Sequence, residues 1–302
     1  MAPQVGNGNF NSAESIPTQV FNNGSIDLVN QVPTDPLIAE AYSNLRQSVV
    51  RITNQMDPHS NPHPTEYGTG FIASSTGQVV TDLHVVQHAQ SLSVQVGDKP
   101  YPAHIVRSSP ASDLALLQID SPDKTQKFAP VDLAASSAML RGERVGAFGY
   151  AEGSTQLSFA SGTFSQRLQL AELLPYVNGG LMPGENAKRS IDESVLPAIS
   201  GTSGGPLFKL DSTGHWRVAG IINMSDPRLH HADSTPVEAI WRLLGRQPEL
   251  ALAAPTMTNN TPLFGMVRPT RTAMPIFANR FSLTPNTVPP PETKPFPKAP
   301  GG

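Results

Sequence analysis

Gly201-Thr202-Ser203-Gly204-Gly205-Pro206-Leu207 sets a serine among glycines and runs straight into an apolar stretch, Pro206–Leu210. Glycines on both sides let the backbone turn sharply and bring its N–H groups close to a bound carbonyl. A serine nucleophile needs that, because its tetrahedral product must find donors aimed at the developing oxyanion. The same residues also read as a glycine-rich turn between strands. The serine gains chemical meaning only if the chain supplies a base and a carboxylate to orient that base.

Candidates for both lie upstream. His84 sits in Val79-Val80-Thr81-Asp82-Leu83-His84-Val85-Val86, where an apolar strand enters a short turn. Asp113 sits in Ser112-Asp113-Leu114-Ala115-Leu116-Leu117, at the mouth of another apolar strand. Singly, His84 reads equally as a core histidine and Asp113 as a turn residue that starts a strand. Together with Ser203, in the order His, Asp, Ser and each at the edge of a β run, they fit one catalytic constellation.

The surrounding pattern is all-β. Short runs rich in β-branched residues recur at 48–53, 69–73, 78–81, 92–96, 103–106, 114–119, 144–149, 157–164, 206–210 and 217–223, with Gly, Pro, Ser and Asp between them. That spacing predicts a sandwich or barrel and not βαβ units. Helices are predicted at Leu37–Arg46 and at Val237–Leu244, the second ending before Gly245 and Pro248.

With these residues assembled, the chain resembles the HtrA/DegP branch of the chymotrypsin-like (trypsin-fold) serine proteases. The segments that carry the resemblance are Tyr67-Gly68-Thr69-Gly70-Phe71-Ile72, 79–86, 113–117, Leu140–Gly149, 201–207 and Ser234-Thr235-Pro236-Val237, within roughly residues 37–246. It implies two orthogonally packed six-stranded β-barrels with a short C-terminal helix, as a protease domain over 37–247. Ser203 would be the nucleophile, His84 the general base and Asp113 its orienting acid, with the N–H groups of Gly201 and Ser203 forming the oxyanion hole. Pro197, Ala198, Ile199, Asn223, Met224 and Ser225 would line the primary pocket. With no carboxylate at Pro197, the pocket would take a small or medium apolar side chain at the residue before the cut bond.

The resemblance further implies protein or peptide substrates, no cofactor, and by analogy alone a trimer. Two departures stand out. Thr202 occupies a position where digestive relatives carry aspartate and HtrA proteins usually asparagine, so activation by a cleaved amino terminus is not expected. The chain also continues into proline-rich sequence where HtrA chains usually carry PDZ domains.

Composition narrows the alternatives. The chain has 302 residues, 21 Lys plus Arg against 24 Asp plus Glu, a net charge of −3 and no cysteine. This excludes disulfides, thiolate zinc sites and a cysteine nucleophile, and it leaves no basic footprint for nucleic acid. No run approaches the roughly 18 apolar residues of a membrane span. Of 30 prolines, 12 fall in residues 248–302, which read as a largely disordered tail, partly docked through residues such as Ile276, Phe277 and Phe281. Residues 1–36, rich in Asn, Gly, Ser and Gln, read as a flexible extension. Met1–Asn11 lacks the pattern of a secretory leader, which points to the cytoplasm, whereas the resemblance points to a periplasmic or secreted protein.

Ser165–Leu196 is longer than the fold requires and reads as a lid or activation loop beside the pocket. His84 and His88 stand four apart, but no glutamate accompanies them in metalloprotease spacing, and the pairs His59/His63 and His230/His231 read as solvated loop histidines, so no metal is expected. An α/β-hydrolase elbow fits Gly201–Gly205 formally, but it needs a helix after the serine, where Pro206 and a strand follow. The remaining alternative is a catalytically silent, chaperone-like binding protein on a protease fold.

Overall fold

The structure, a computed structural model, describes residues 16–22, 25–31, 36–151, 154–178, 180–196, 201–226, 231–247 and 278–279. Strands β1 (Ile16–Asn22) and β2 (Ser25–Gln31) form a hairpin ahead of helix α1 (Pro36–Leu45). There follow β3 (Val49–Gln55), β4 (Thr65–Ile72), β5 (Gln78–Asp82), the single turn α2 (Leu83–Val86), β6 (Ser91–Val96), β7 (Lys99–Ser109) and β8 (Leu114–Ile119). The six strands β3 to β8 close into an antiparallel barrel in the order β3-β4-β5-β8-β7-β6. Closure leaves no free edge, and inward positions alternate along each strand. Val50, Ile52, Ile72, Val79, Val94 and Leu117 fill the interior.

The second half contains β9 (Arg144–Gly149), β10 (Ser158–Gln169), α3 (Leu170–Leu173), β11 (Val177–Asn178), β12 (Ser190–Val195), β13 (Pro206–Leu210), β14 (Trp216–Asp226), β15 (His231–Pro236), α4 (Val237–Leu244) and β16 (Ala278–Asn279). Here β12-β15-β14-β13-β9-β10 is closed by antiparallel pairing of β10 with β12, giving a second six-stranded barrel. Val145, Ala147, Phe164, Leu196, Leu207 and Ile222 pack inside it.

A third apolar cluster joins the barrels. Val49, Phe71, Val80, Leu114 and Leu116 of the first meet Phe148, Phe159, Phe208, Val218 and Ile221 of the second, under Val237, Ile240 and Leu243 of α4. Phe148 is its hub, with ring centroids 4.7 Å from Phe159, 5.6 Å from Phe208 and 6.1 Å from Tyr42. Truncating such a ring leaves a cavity that neighbours fill only partly. Phe148→Ala is expected to lower unfolding free energy by about 3–5 kcal/mol in urea denaturation. A loss below about 1 kcal/mol would show that the interface is not packed around this ring.

The predicted strands and helices match observed elements within a few residues, and the structure adds others. Within the extension predicted to be flexible, β1 and β2 pair antiparallel from Ile16↔Gln31 to Asn22↔Ser25, and the sequence between them is Asn-Gly, a pair that favours hairpins. The predicted loop Ser165–Leu196 is partly regular: β10 runs on to Gln169, and β12 begins at Ser190. Strands β12 and β15 are absent from the sequence reading. In the predicted tail, β16 pairs in parallel with β11, and residues 248–277 and 280–302 lie outside the described residues.

Candidate active site

His84 reaches the junction of the barrels because β5 breaks at Asp82 into the short helix α2. Asp113 follows a 3-10 turn, Pro110–Ser112, and takes a left-handed conformation at φ 54°. Aspartate tolerates that region better than most residues. The turn aims both its carbonyl and its side chain at the His84 helix. Leu83 N–H donates to the Asp113 carbonyl at 3.1 Å. His84 N–H donates to Asp113 Oδ1 at 3.0 Å, and His84 Nδ1 lies 2.7 Å from Asp113 Oδ2.

An ionised carboxylate only accepts, so Nδ1 carries the proton, and Nε2 is the ring nitrogen that can accept one. Burial alone would push the Asp113 carboxyl up. The charge of His84, its hydrogen bonds and the more distant Arg189 outweigh burial and hold Asp113 below the usual carboxylate range. The His84 side chain is only 11% exposed, and Asp113 is buried.

The serine turn is built from both barrels. Thr69 on β4 is fully buried. Its N–H donates to the Ser203 carbonyl at 2.9 Å, and its hydroxyl donates to the Gly201 carbonyl at 2.7 Å. The same hydroxyl accepts Tyr150 N–H at 2.9 Å. From the second barrel, the Ile222 carbonyl accepts Gly204 N–H and Ile222 N–H donates to the Gly205 carbonyl, each at 2.8 Å. Gly204 has φ +81°, and a Cβ there would strike the Thr69 carbonyl and the Thr81 hydroxyl. Only glycine fits, which accounts for the residue after the serine.

Asp82 is the acid that the sequence reading passed over. Fully buried, it accepts Gly204 N–H on Oδ2 at 2.9 Å and Asn223 Nδ2 on Oδ1 at 2.6 Å, and Oδ2 lies 4.0 Å from His84 Nε2. Burial pushes its carboxyl well above the ordinary range; His84, Arg189 and the Gly204 N–H oppose that, while the Asp113 charge adds to it. Asp82, His84 and Asp113 are the one group of described residues whose ligand atoms cluster closely enough for a metal ion, within 4.8 Å. Those atoms already serve Gly204, Asn223 and one another, so their arrangement fits an orienting network and not a coordination sphere.

Three of the six expected pocket residues, Asn223, Met224 and Ser225, are placed, all on β14. Pro197, Ala198 and Ile199 lie outside the described residues. Asn223 is buried, with its amide turned to Asp82 and its carbonyl oxygen accepting the Thr235 hydroxyl. Met224 is buried against Leu168, Leu170, Leu173 and Ile191. Ser225 is half-buried, the one of these three with some exposure.

The segment between β10 and β12 docks on the turn that holds Asp113: Asn186 N–H donates to the Ala111 carbonyl at 3.2 Å. Buried Arg189 pairs with Glu185 at 2.8 Å and donates to the Thr235 hydroxyl at 2.5 Å. The sequence gives no sign of Thr69 or of this Arg189–Thr235–Asn223–Asp82 chain beyond the polar residue types themselves.

Two closed barrels with a carboxylate-held histidine at their junction, facing a glycine-bound serine turn, define a trypsin-fold peptidase architecture. Residues 68–221 match the family described as trypsin-like peptidase domain, and the chain belongs to that family. A "Probable periplasmic serine endoprotease DegP-like" of Pseudomonas fulva (strain 12-X) is 28% identical over 209 residues, covering 67% of this chain and 39% of the relative. One of the same description from Marinomonas sp. (strain MWYL1) is 32% identical over 159 residues, or 52% and 30%. "Protease Do-like 1, chloroplastic" of Arabidopsis thaliana is 31% identical over 152 residues, or 50% and 32%.

The chain thus spans 30–39% of the length of these curated relatives. Among solved structures, the active form of the Rv3671c protease from M. tuberculosis has a TM-score of 0.56 at 24% identity, covering 80% of this chain and 94% of that one. Its inactive form gives 0.53 at 25%, covering 70% and 95%.

Proposed function

We propose that this chain is a serine endopeptidase of the HtrA/DegP type, acting on proteins or peptides through Ser203, His84 and Asp113. The observation that carries the reading is the 2.7 Å contact between His84 Nδ1 and Asp113 Oδ2, made beside a serine turn that the same barrel anchors through Thr69. With Nδ1 committed to Asp113, His84 Nε2 takes the Ser203 proton as the hydroxyl oxygen attacks the scissile carbonyl, and returns it to the leaving amine. Asp113 steadies the imidazolium formed in between. The N–H groups of Gly201 and Ser203 serve the oxyanion, and water activated by His84 then releases the acyl group.

The unit responsible is residues 37–247, with a periplasmic or secreted setting in keeping with the two bacterial relatives described as periplasmic. A small or medium apolar side chain at the residue before the cut bond remains part of the proposal, since neither the sequence Pro197-Ala198-Ile199 nor half-buried Ser225 brings a charge. Cleavage of a peptide library, with Ser203→Ala as control, tests activity and pocket together. Cuts after Ala, Val or Leu and not after Arg or Lys are expected; a strict preference for Arg or Lys would overturn the pocket assignment. Shortening the segment between β10 and β12 by 178–188 is expected to lower turnover, because it removes Glu185 and Asn186, which brace Arg189 and the Asp113 turn. Unchanged turnover would leave that segment a passive surface loop.

A further inference from the structure

We propose that Asp82 is a positioning residue for this reaction: its carboxylate clamps the Ser203–Gly204 turn to the His84 helix and so sets the spacing of nucleophile and base. The inference rests on the assignment of Ser203 and His84 to those roles.

Asp82 stands at the N-terminus of α2, where an aspartate usually accepts an N–H of its own helix. Its side chain makes no such bond. It turns across the junction, and each of its oxygens accepts a donor from the second barrel, Gly204 N–H at 2.9 Å and Asn223 Nδ2 at 2.6 Å. These donors lie 122 and 141 residues further along the chain. One carboxylate therefore ties together two short peptides, one reaching His84 two residues on and the other reaching Ser203 one residue back.

Asn223 is held in turn, since its carbonyl oxygen accepts the Thr235 hydroxyl, which accepts from Arg189. The clamp is thus braced from its far side by the buried Arg189–Glu185 pair.

Burying a carboxylate is costly, and an apolar residue at the end of β5 would be cheaper for the fold alone. The location gives the cost a use. Asp82 Oδ2 lies 4.0 Å from His84 Nε2, the atom that carries the proton in mid-reaction. The imidazolium would form with Asp113 on one ring nitrogen and an Asp82 oxygen facing the other. The charged or titratable groups around Asp82 are His84, Asp113 and Arg189.

Asp82→Asn and Asp82→Ala in the full chain, with active sites counted by fluorophosphonate titration, test this. For Asp82→Ala, kcat per titrated site is expected to fall about 10–100-fold with KM nearly unchanged, the scale of a small displacement of reacting groups. Asp82→Asn keeps one acceptor and should recover part of that loss.

The Gly204 amide proton, observed by NMR, should shift upfield in Asp82→Ala, and this reading needs no turnover. Wild-type kcat per site in Asp82→Ala would overturn the proposal, as would an unmoved Gly204 amide. Failure of the wild-type protein to label at Ser203 would instead overturn the nucleophile assignment, while the Gly204 amide reads the clamp independently of it.

Discussion

Ser203→Ala is expected to lower kcat by about 10⁶-fold, leaving a residual rate roughly 10³–10⁴ above uncatalysed hydrolysis. The size of the loss follows from the division of labour at the site. Without the hydroxyl no acyl-enzyme forms, and His84 and Asp113 have nothing to activate. What remains is binding and donors aimed at an oxyanion that water alone must generate. The position is half-buried, and the turn is held by backbone bonds to Thr69 and Ile222, so stability should change by no more than about 0.5 kcal/mol. Active-site-normalised kinetics on a cleaved peptide, with thermal unfolding alongside, give both numbers. Activity above about 1% of wild type would remove Ser203 from the mechanism, given the scale of loss expected for a nucleophile.

Asp113→Asn is expected to lower kcat about 10⁴-fold with little change in KM. The amide is nearly the same shape, so the His84 backbone N–H can keep its acceptor at 3.0 Å. The amide NH₂ then faces Nδ1, which must become the acceptor, and the ring proton moves to Nε2. In that tautomer His84 cannot take the serine proton.

The substitution also alters the response to acid. Because the folded protein holds the Asp113 carboxyl below its usual range, this group contributes stability above the unfolded carboxylate value, lost as pH falls through the depressed one. Asp113→Asn should therefore lose stability at neutral pH and show less further loss on acidification. A variant with wild-type kcat would mean that His84 does not depend on Asp113 for its tautomer.

The parts of the fold legible in the sequence are those whose buried face is apolar. Strands β3, β5, β8 and β9 carry Val, Ile, Leu and Phe at inward positions, so their pattern announces them. The strands β12 and β15 do not, because most of their buried positions are polar, several of them with partners across the sheet. Fully buried Asp192 accepts Arg167 at 2.6 and 2.8 Å, Glu193 accepts Gln166 at 3.0 Å, and the Ser234 hydroxyl reaches the Asp192 carbonyl at 3.2 Å. Ser190-Ile191-Asp192-Glu193-Ser194-Val195 reads as loop until those partners are known.

The same limit applies at the site. Ser203, His84 and Asp113 are legible because each sits in a distinctive local setting, glycines around one and strand ends beside the others. Asp82 has the same strand-end setting as His84. What distinguishes it is contact with Gly204 and Asn223, which no local pattern encodes. Thr69 lies inside a motif that the sequence reading quoted, yet its three bonds to Ser203, Gly201 and Tyr150 exist only once the barrels meet. The pocket strand shows the opposite ambiguity: a buried β14 position can face the core as readily as the cleft, and Met224 packs into an apolar cluster while Asn223 turns to Asp82 and Thr235.

The central claim is that Ser203 completes a triad with His84 and Asp113. Mass-spectrometric mapping of the adduct after reaction with a fluorophosphonate tests it most directly. The account predicts a single phosphonyl group, on Ser203, formed rapidly in the wild-type protein and at least about 10³-fold more slowly when His84 is replaced by alanine, since the probe reacts with an activated hydroxyl. A wild-type protein that cleaves peptides while its adduct maps elsewhere, or that labels at the same rate without His84, would contradict it.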